Sequence, residues 1–183
     1  MNATRAADDE RPLLVMAQDA GRFGRSTTPR RCWMPPGVRA QAPRQVVREF
    51  SYAFTAVAPQ EGWMYSLILP KANTAMMNLF LAHVAQEYAG YFIVMQVDRA
   101  GWHGSNALVV PENIRLLAQP AHSPEVQPTE HVWDEVREKY FHNRVFDDMD
   151  AVEHTLVEGL NALRADPERV RSLTYFPHFK SVA

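Results

Sequence analysis

Leu13-Leu14-Val15-Met16-Ala17 is an unbroken apolar run that stops at Gln18-Asp19. A short run without polar alternation suits a strand covered on both faces. Tyr91-Phe92-Ile93-Val94-Met95-Gln96-Val97 is a second and clearer one, and it stops at Asp98. Residues 46–57 (VVREFSYAFTAV) and 63–69 (WMYSLIL) are rich in β-branched and aromatic residues around the turn-forming APQEG, which predicts a hairpin. Ile114-Arg115-Leu116-Leu117 predicts a further short strand.

Helical spacing begins at Asn73, a residue suited to capping. Met77, Phe80, Leu81, Val84 and Tyr88 share one face of a helix reaching about Tyr88. Pro128 suits the opening of another, in which Trp133, Val136 and Tyr140 form the apolar stripe. Met149, Val152, Leu156, Leu160 and Leu163 mark a third from about Asp148, and Pro167 opens a last short one. Strands and helices alternating in this order predict the α/β class, a mixed sheet flanked by helices. A right-handed crossover through the 73–88 helix would lay the strand ending at Asp98 parallel to its neighbours. Residues 20–45, rich in Arg, Pro and Gly, read as loop or hairpin, and the polar residues 1–11 as a disordered N-terminal segment.

Composition narrows the picture. The chain of 183 residues suffices for one well-packed domain, here 12–183. No apolar run approaches the ~20 residues that cross a bilayer, and the N-terminus has no apolar signal region. The single cysteine, Cys32, excludes an internal disulfide and a paired-cysteine zinc site. These features predict a cytoplasmic protein without a membrane partner. The formal net charge of −2 argues against a nucleic-acid binder, but its distribution does not. Arg22, Arg25, Arg30, Arg31, Arg39, Arg44 and Arg48 all fall between Asp19 and Arg48, where Asp19 is the one acid. A basic segment beside clustered carboxylates is what chemistry on a phosphate backbone would require.

Asp19 and Asp98 are the candidate carboxylates. Each follows a buried strand, and ligands of α/β sheets gather at strand ends. On neighbouring strands the two would converge within reach of one hard cation. Either alone reads first as a turn former or a helix cap. Glu130 falls in the first turn of the helix after Pro128, where the helix dipole favours its ionised form. Glu125 precedes that helix in a more extended stretch. His103, shortly after Asp98, could orient a water or contact phosphate, or serve as a hydrogen-bonded structural histidine. Arg22, Arg30 and Arg31 are candidates for phosphate contact. Trp33 and Trp102 could stack on bases, with core packing the competing role.

These residues resemble a known family in three places. Gln18-Asp19 with Arg22-Phe23-Gly24, then Pro29-Arg30-Arg31-Cys32-Trp33, is similar to the opening of the catalytic domain in mariner-type transposases, and most of all to the bacterial insertion sequence 630 family. Asp98-Arg99-Ala100-Gly101-Trp102-His103 resembles the motif of the second aspartate. Ser123-Pro124-Glu125 through Pro128-Thr129-Glu130-His131-Val132-Trp133 resembles the motif of the last carboxylate. Three motifs in the family's order make the likeness specific.

The resemblance implies an RNase H-like fold and a DDE metal triad of Asp19, Asp98 and Glu130, with Glu125 auxiliary. It implies two Mg2+ (or Mn2+) ions, and cleavage and strand transfer at transposon ends and target DNA. The partners it implies are DNA, a second copy in a homodimer, and a separate helix-turn-helix chain, because the family's N-terminal helix-turn-helix domain is absent. The setting would be the bacterial nucleoid. The chain departs from the family at Ala20, where a second acid usually follows the first aspartate. Two other readings stay open: an RNase H-like nuclease acting on another nucleic acid, and an inactive, truncated relic that binds DNA or a partner, for which Ala20 and the missing N-terminal domain would speak.

Overall fold

In the computed structural model, which describes residues 5, 9–27, 29–31, 33–39, 41–101, 105–120, 123 and 126–176, the two apolar runs become neighbouring strands in the middle of one sheet. Its strands are β1 (Leu13–Ser26), β2 (Val46–Ala58), β3 (Trp63–Leu69), β4 (Phe92–Val97) and β5 (Ile114–Ala118). They lie in the order β3-β2-β1-β4-β5. β2 pairs antiparallel with β1 and β3, whereas β4 runs parallel to β1 and β5. The expected mixed sheet is therefore present, and the strand that carries Asp19 is adjacent to the strand that Asp98 follows.

β1 differs from expectation. It does not end at Asp19 but runs on to Ser26, so the loop begins only after it. Antiparallel pairing with β2 continues from Ala17↔Val57 to Gly24↔Phe50 and, past a register irregularity, to Ser26↔Val46. Parallel pairing with β4 covers only Leu13–Ala17. Asp19 thus sits in mid-strand, at the level where one neighbour stops and the other carries on.

Side chains along β1 alternate between two cores, as the period of a strand dictates. Leu14 and Met16, with the partly buried Ala20, face a cluster built with Phe54, Ile93, Met95 and the buried stripe of α1 (Thr74–Glu87). Ala17 and Phe23 face a second cluster. Here β1 meets α2 (Thr129–Val136) and α3 (Met149–Arg164), and α4 (Pro167–Thr174) packs on those two helices and on β3. Helices cover both faces of the sheet, which explains why its central strands are apolar almost throughout.

The helix boundaries follow their caps. The Asn73 side chain accepts from the Met76 N–H, Asp148 from Ala151 and Asp166 from Arg169. Pro167 occupies the start of α4, where its missing N–H costs nothing. α2 is short and widens into a π-type turn over Arg137–Phe141. Among the described residues no helix is long and apolar enough to cross a membrane.

Candidate active site

Where β4 stops, the segment before α2 takes its place beside β1. Gln127, almost wholly buried, donates from Nε2 to the Gln18 carbonyl at 2.9 Å. Gln96, the next-to-last residue of β4, donates to the Val126 carbonyl at 2.9 Å and to Gln119 Oε1 at 3.1 Å. These amide bonds tie the approach to α2 to the end of β4 and the middle of β1. They also keep backbone carbonyls satisfied where the ladder breaks off. α2 consequently begins over the notch between β1 and β4, with Glu130 in its first turn.

The two aspartates reach the notch through strand register. The parallel register runs from Leu13↔Phe92 to Ala17↔Gln96, so Asp19 and Asp98 each lie two residues beyond the last pair, at the same end of the ladder. Both side chains are held in place. Trp133 donates its indole N–H to Asp19 Oδ2 at 2.9 Å, and the Ala100 N–H donates to Asp98 Oδ1 at 2.9 Å. Trp133 is itself 1% exposed and stands edge-on to Phe23, with ring centroids 5.7 Å apart. It passes so close over Gly21 that a Cβ there would lie 2.7 Å from an indole carbon. Glycine at position 21 is thus required by the close approach of the ring that clamps Asp19.

Partial burial of its carboxyl pushes the Glu130 pKa above the usual carboxylate range, and Asp19 pushes it further. Arg137 opposes this, while Asp134 and Asp98 add to the rise. Glu130 therefore lies within the electrostatic field of both aspartates. Among the described residues, however, no three carboxylate, imidazole or thiolate groups are gathered closely enough to hold a metal ion as the side chains stand. The donor set still fits a hard divalent cation. All three groups offer oxygen, and like charges confined together repel until a cation offsets them.

A stability measurement without divalent ions tests this field. The folded chain holds the Glu130 proton more tightly than the unfolded chain, in which the carboxyl has its ordinary value of 4.5. Glu130 therefore destabilises the fold above its raised pKa, and that penalty is relieved as pH falls toward 4.5. Glu135 works oppositely, because Arg169 and Lys139 lower its pKa. The comparison is thus between the parent and Glu130→Gln. In chelator, Glu130→Gln should be the more stable at neutral pH, with the difference vanishing on approach to pH 4.5. Parallel stability curves for the two proteins would count against a shared carboxylate field.

Of the other sequence candidates, Glu125, His103, Trp102 and Cys32 lie outside the described residues. Arg22, Arg30 and Arg31 are exposed, and Trp33 is fully so. Ala20 faces away from Asp19, packed against the α1-side cluster. An acid in that position would enter the opposite core from the carboxylates. Sequence reasoning missed the roles of Gln96 and Gln127, whose amides carry no motif. It read Trp133 as core alone, although an indole N–H in a buried stripe signals a need for an acceptor.

Comparison with known proteins bears on the family and the fold. Residues 14–153 match the family described as DDE superfamily endonuclease. The uncharacterized protein y4pE/y4sA of Sinorhizobium fredii is 35% identical over 125 residues, 68% of this chain and 93% of that protein. Solved structures share the fold. The Mos1 transposase paired-end complex with left transposon end superposes with a TM-score of 0.58 at 17% identity, covering 86% of this chain and 54% of that one. The Mos1 mariner paired-end complex with Mn gives 0.60 at 16% identity, covering 88% and 56%. The chain spans about half the length of these solved relatives.

Proposed function

Because this chain belongs to the DDE superfamily endonucleases, we propose that it catalyses metal-dependent phosphoryl transfer on DNA, cutting transposon ends and joining them to a target. Asp19, Asp98 and Glu130 hold the metal. Two divalent ions, magnesium or manganese, neutralise when bound the charge that develops on the attacking and leaving oxygens. In the first step water attacks phosphorus, the bond to the 3′ oxygen breaks, and a 3′-hydroxyl departs with its proton. In the second that hydroxyl attacks a target phosphodiester and displaces another 3′ oxygen. Positioning dominates such chemistry. Trp133 fixes Asp19, the Ala100 N–H fixes Asp98, and the amides of Gln96 and Gln127 fix the approach to Glu130. Arg22, Arg30 and Arg31 engage the backbone, Trp33 stacks on a base, and His103 and Glu125 are auxiliary.

The observation that carries the reading is the rise in proton affinity of Glu130 under the joint influence of Asp19 and Asp98. The fold shared with Mos1 transposase supports the choice of substrate class. The finer reading is a bacterial protein of the insertion sequence 630 family. It works at the nucleoid as a homodimer, with a separate helix-turn-helix chain supplying recognition of the ends.

Cleavage assays in magnesium should show nicking of DNA carrying inverted-repeat ends, and not of RNA–DNA hybrids or four-way junctions. Binding by this chain alone should be weak and indifferent to sequence, and should fall steeply with salt. Arg30→Ala with Arg31→Ala should weaken it equally on all sequences. Tight, repeat-specific binding by the isolated chain would contradict the proposed division of labour. Preference for the hybrid or the junction would transfer the chain to another nuclease class.

A further inference from the structure

We propose that a basic pocket beside the carboxylates is a subsite for a backbone phosphate of the DNA strand running on from the reacting phosphodiester; this rests on the DNA-cleaving reading above. The cavity, of about 290 Å³, lies between the outer half of β1 and the 137–146 segment. Arg22, Arg30, Arg137 and Arg144 line it, against one acid, Asp134.

Elsewhere arginines are spent on carboxylates: Arg25 on Glu49, Arg164 on Glu87, Arg169 on Glu135, Arg171 on Glu168. Among the described residues no ion pair engages any of the four in the pocket. Three of them lie instead on phenylalanine rings. Arg22 sits 4.5 Å from the Phe50 centroid, Arg137 5.1 Å from Phe23 and Arg144 5.5 Å from Phe146. Arg144 also donates one N–H to the Tyr140 carbonyl at 3.0 Å. A stacked guanidinium uses its flat face on the ring and turns its remaining N–H groups to an anion, and that fork matches two phosphate oxygens.

The walls are fixed to each other. Asn143 clasps the Arg30 backbone, accepting from its N–H at 3.0 Å and donating to its carbonyl at 3.3 Å. Thr27 donates to the Arg144 carbonyl at 2.9 Å, and Arg25 to that of Phe146 at 3.0 Å. Such ties lower the ordering cost of ligand binding. Position supplies the link to DNA. Glu130, Asp134 and Arg137 follow one another at helical spacing, and Arg137 lies within the field of Glu130. The pocket is therefore ~10 Å from the carboxylates along α2, within reach of a neighbouring phosphate of the same strand.

The test is binding of a fluorescent single-stranded oligothymidylate to the full chain in chelator, across a salt series. Arg22→Ala, Arg30→Ala and Arg144→Ala should each cost about tenfold in affinity and lower the salt slope by about one. Arg39→Ala and Arg48→Ala, equally exposed but off the pocket, should change affinity less than about twofold. Equal losses in both sets, or no loss in the pocket set, would overturn the subsite. Folding is controlled by following the arginine side-chain N–H signals of the unmutated chain by NMR. On adding the oligonucleotide, those of the pocket should shift ahead of those of Arg39 and Arg48, and uniform shifts would overturn the proposal. Chelator keeps this test apart from catalysis. Failure to nick with pocket binding intact would refute the cleavage reading alone, and nicking with normal binding by the pocket variants would refute the subsite alone.

Discussion

Replacing Asp98 by asparagine or Glu130 by glutamine should abolish nicking in magnesium, by at least ~10³-fold. Both changes keep shape and remove charge. Asparagine at 98 retains the oxygen that accepts the Ala100 N–H, so the backbone after β4 should stay as it is. What disappears is one of three negative charges needed to hold the ions that offset charge in the transition state. Without metal, both variants should melt at or above the parent temperature, since removing a carboxylate from the cluster relieves repulsion. Glu125→Gln should keep most activity. The reverse pattern, normal cutting by Glu130→Gln with loss in Glu125→Gln, would reassign the third ligand. A parent chain that never cleaves under any metal would favour the relic.

Trp133→Ala should have the largest effect on stability, about 3–5 kcal/mol. The ring is fully enclosed between Phe23, Gly21 and the α3 side of the core, so truncation leaves a cavity that the sheet cannot close. For a chain of this size the loss corresponds to a melting temperature lower by roughly 6–20 °C. Trp133→Phe separates packing from polarity. It keeps an aromatic ring but removes the N–H that donates to Asp19. That variant should stay folded while nicking drops by about 10–100-fold, the usual consequence of losing a group that orients a metal ligand. Gly21→Ala should disturb the same contact from below by forcing the indole away. Wild-type cutting by Trp133→Phe would show that the indole only packs.

The elements legible in the sequence were those whose signal is local. Apolar runs announced β1 and β4, and Asn73, Asp148 and Pro167 marked helix starts by the chemistry of unsatisfied N–H groups. β1 beyond Asp19 was not legible, because Gly21-Arg22-Phe23-Gly24 has the composition of a turn. Its glycines serve close approach instead: a Cβ at Gly21 would strike Trp133, and one at Gly24 would lie 2.1 Å from the Glu49 carbonyl oxygen. Asp19 and Asp98 could be nominated from strand ends, but their adjacency depends on a register that no single strand encodes. The basic pocket was out of reach for a similar reason. Arg22 and Arg144 stand far apart in sequence, and only the packing of the 143–146 segment along β1 brings them to one cavity.

The two-sidedness of β1 also bears on how copies of such a gene decay. Alternate positions of a single strand answer to different selective demands. Changes at 14, 16, 18 and 20 fall on the α1-side core, and changes at 17, 19, 21 and 23 fall on the face where Asp19 meets Trp133. Substitutions in the first set erode folding and can be compensated by repacking, whereas those in the second strike the reaction and have few substitutes. Ala20 belongs to the first set. Its side chain joins a hydrophobic wall and lies off the face that bears Asp19, so alanine there leaves the carboxylate side of the strand unchanged.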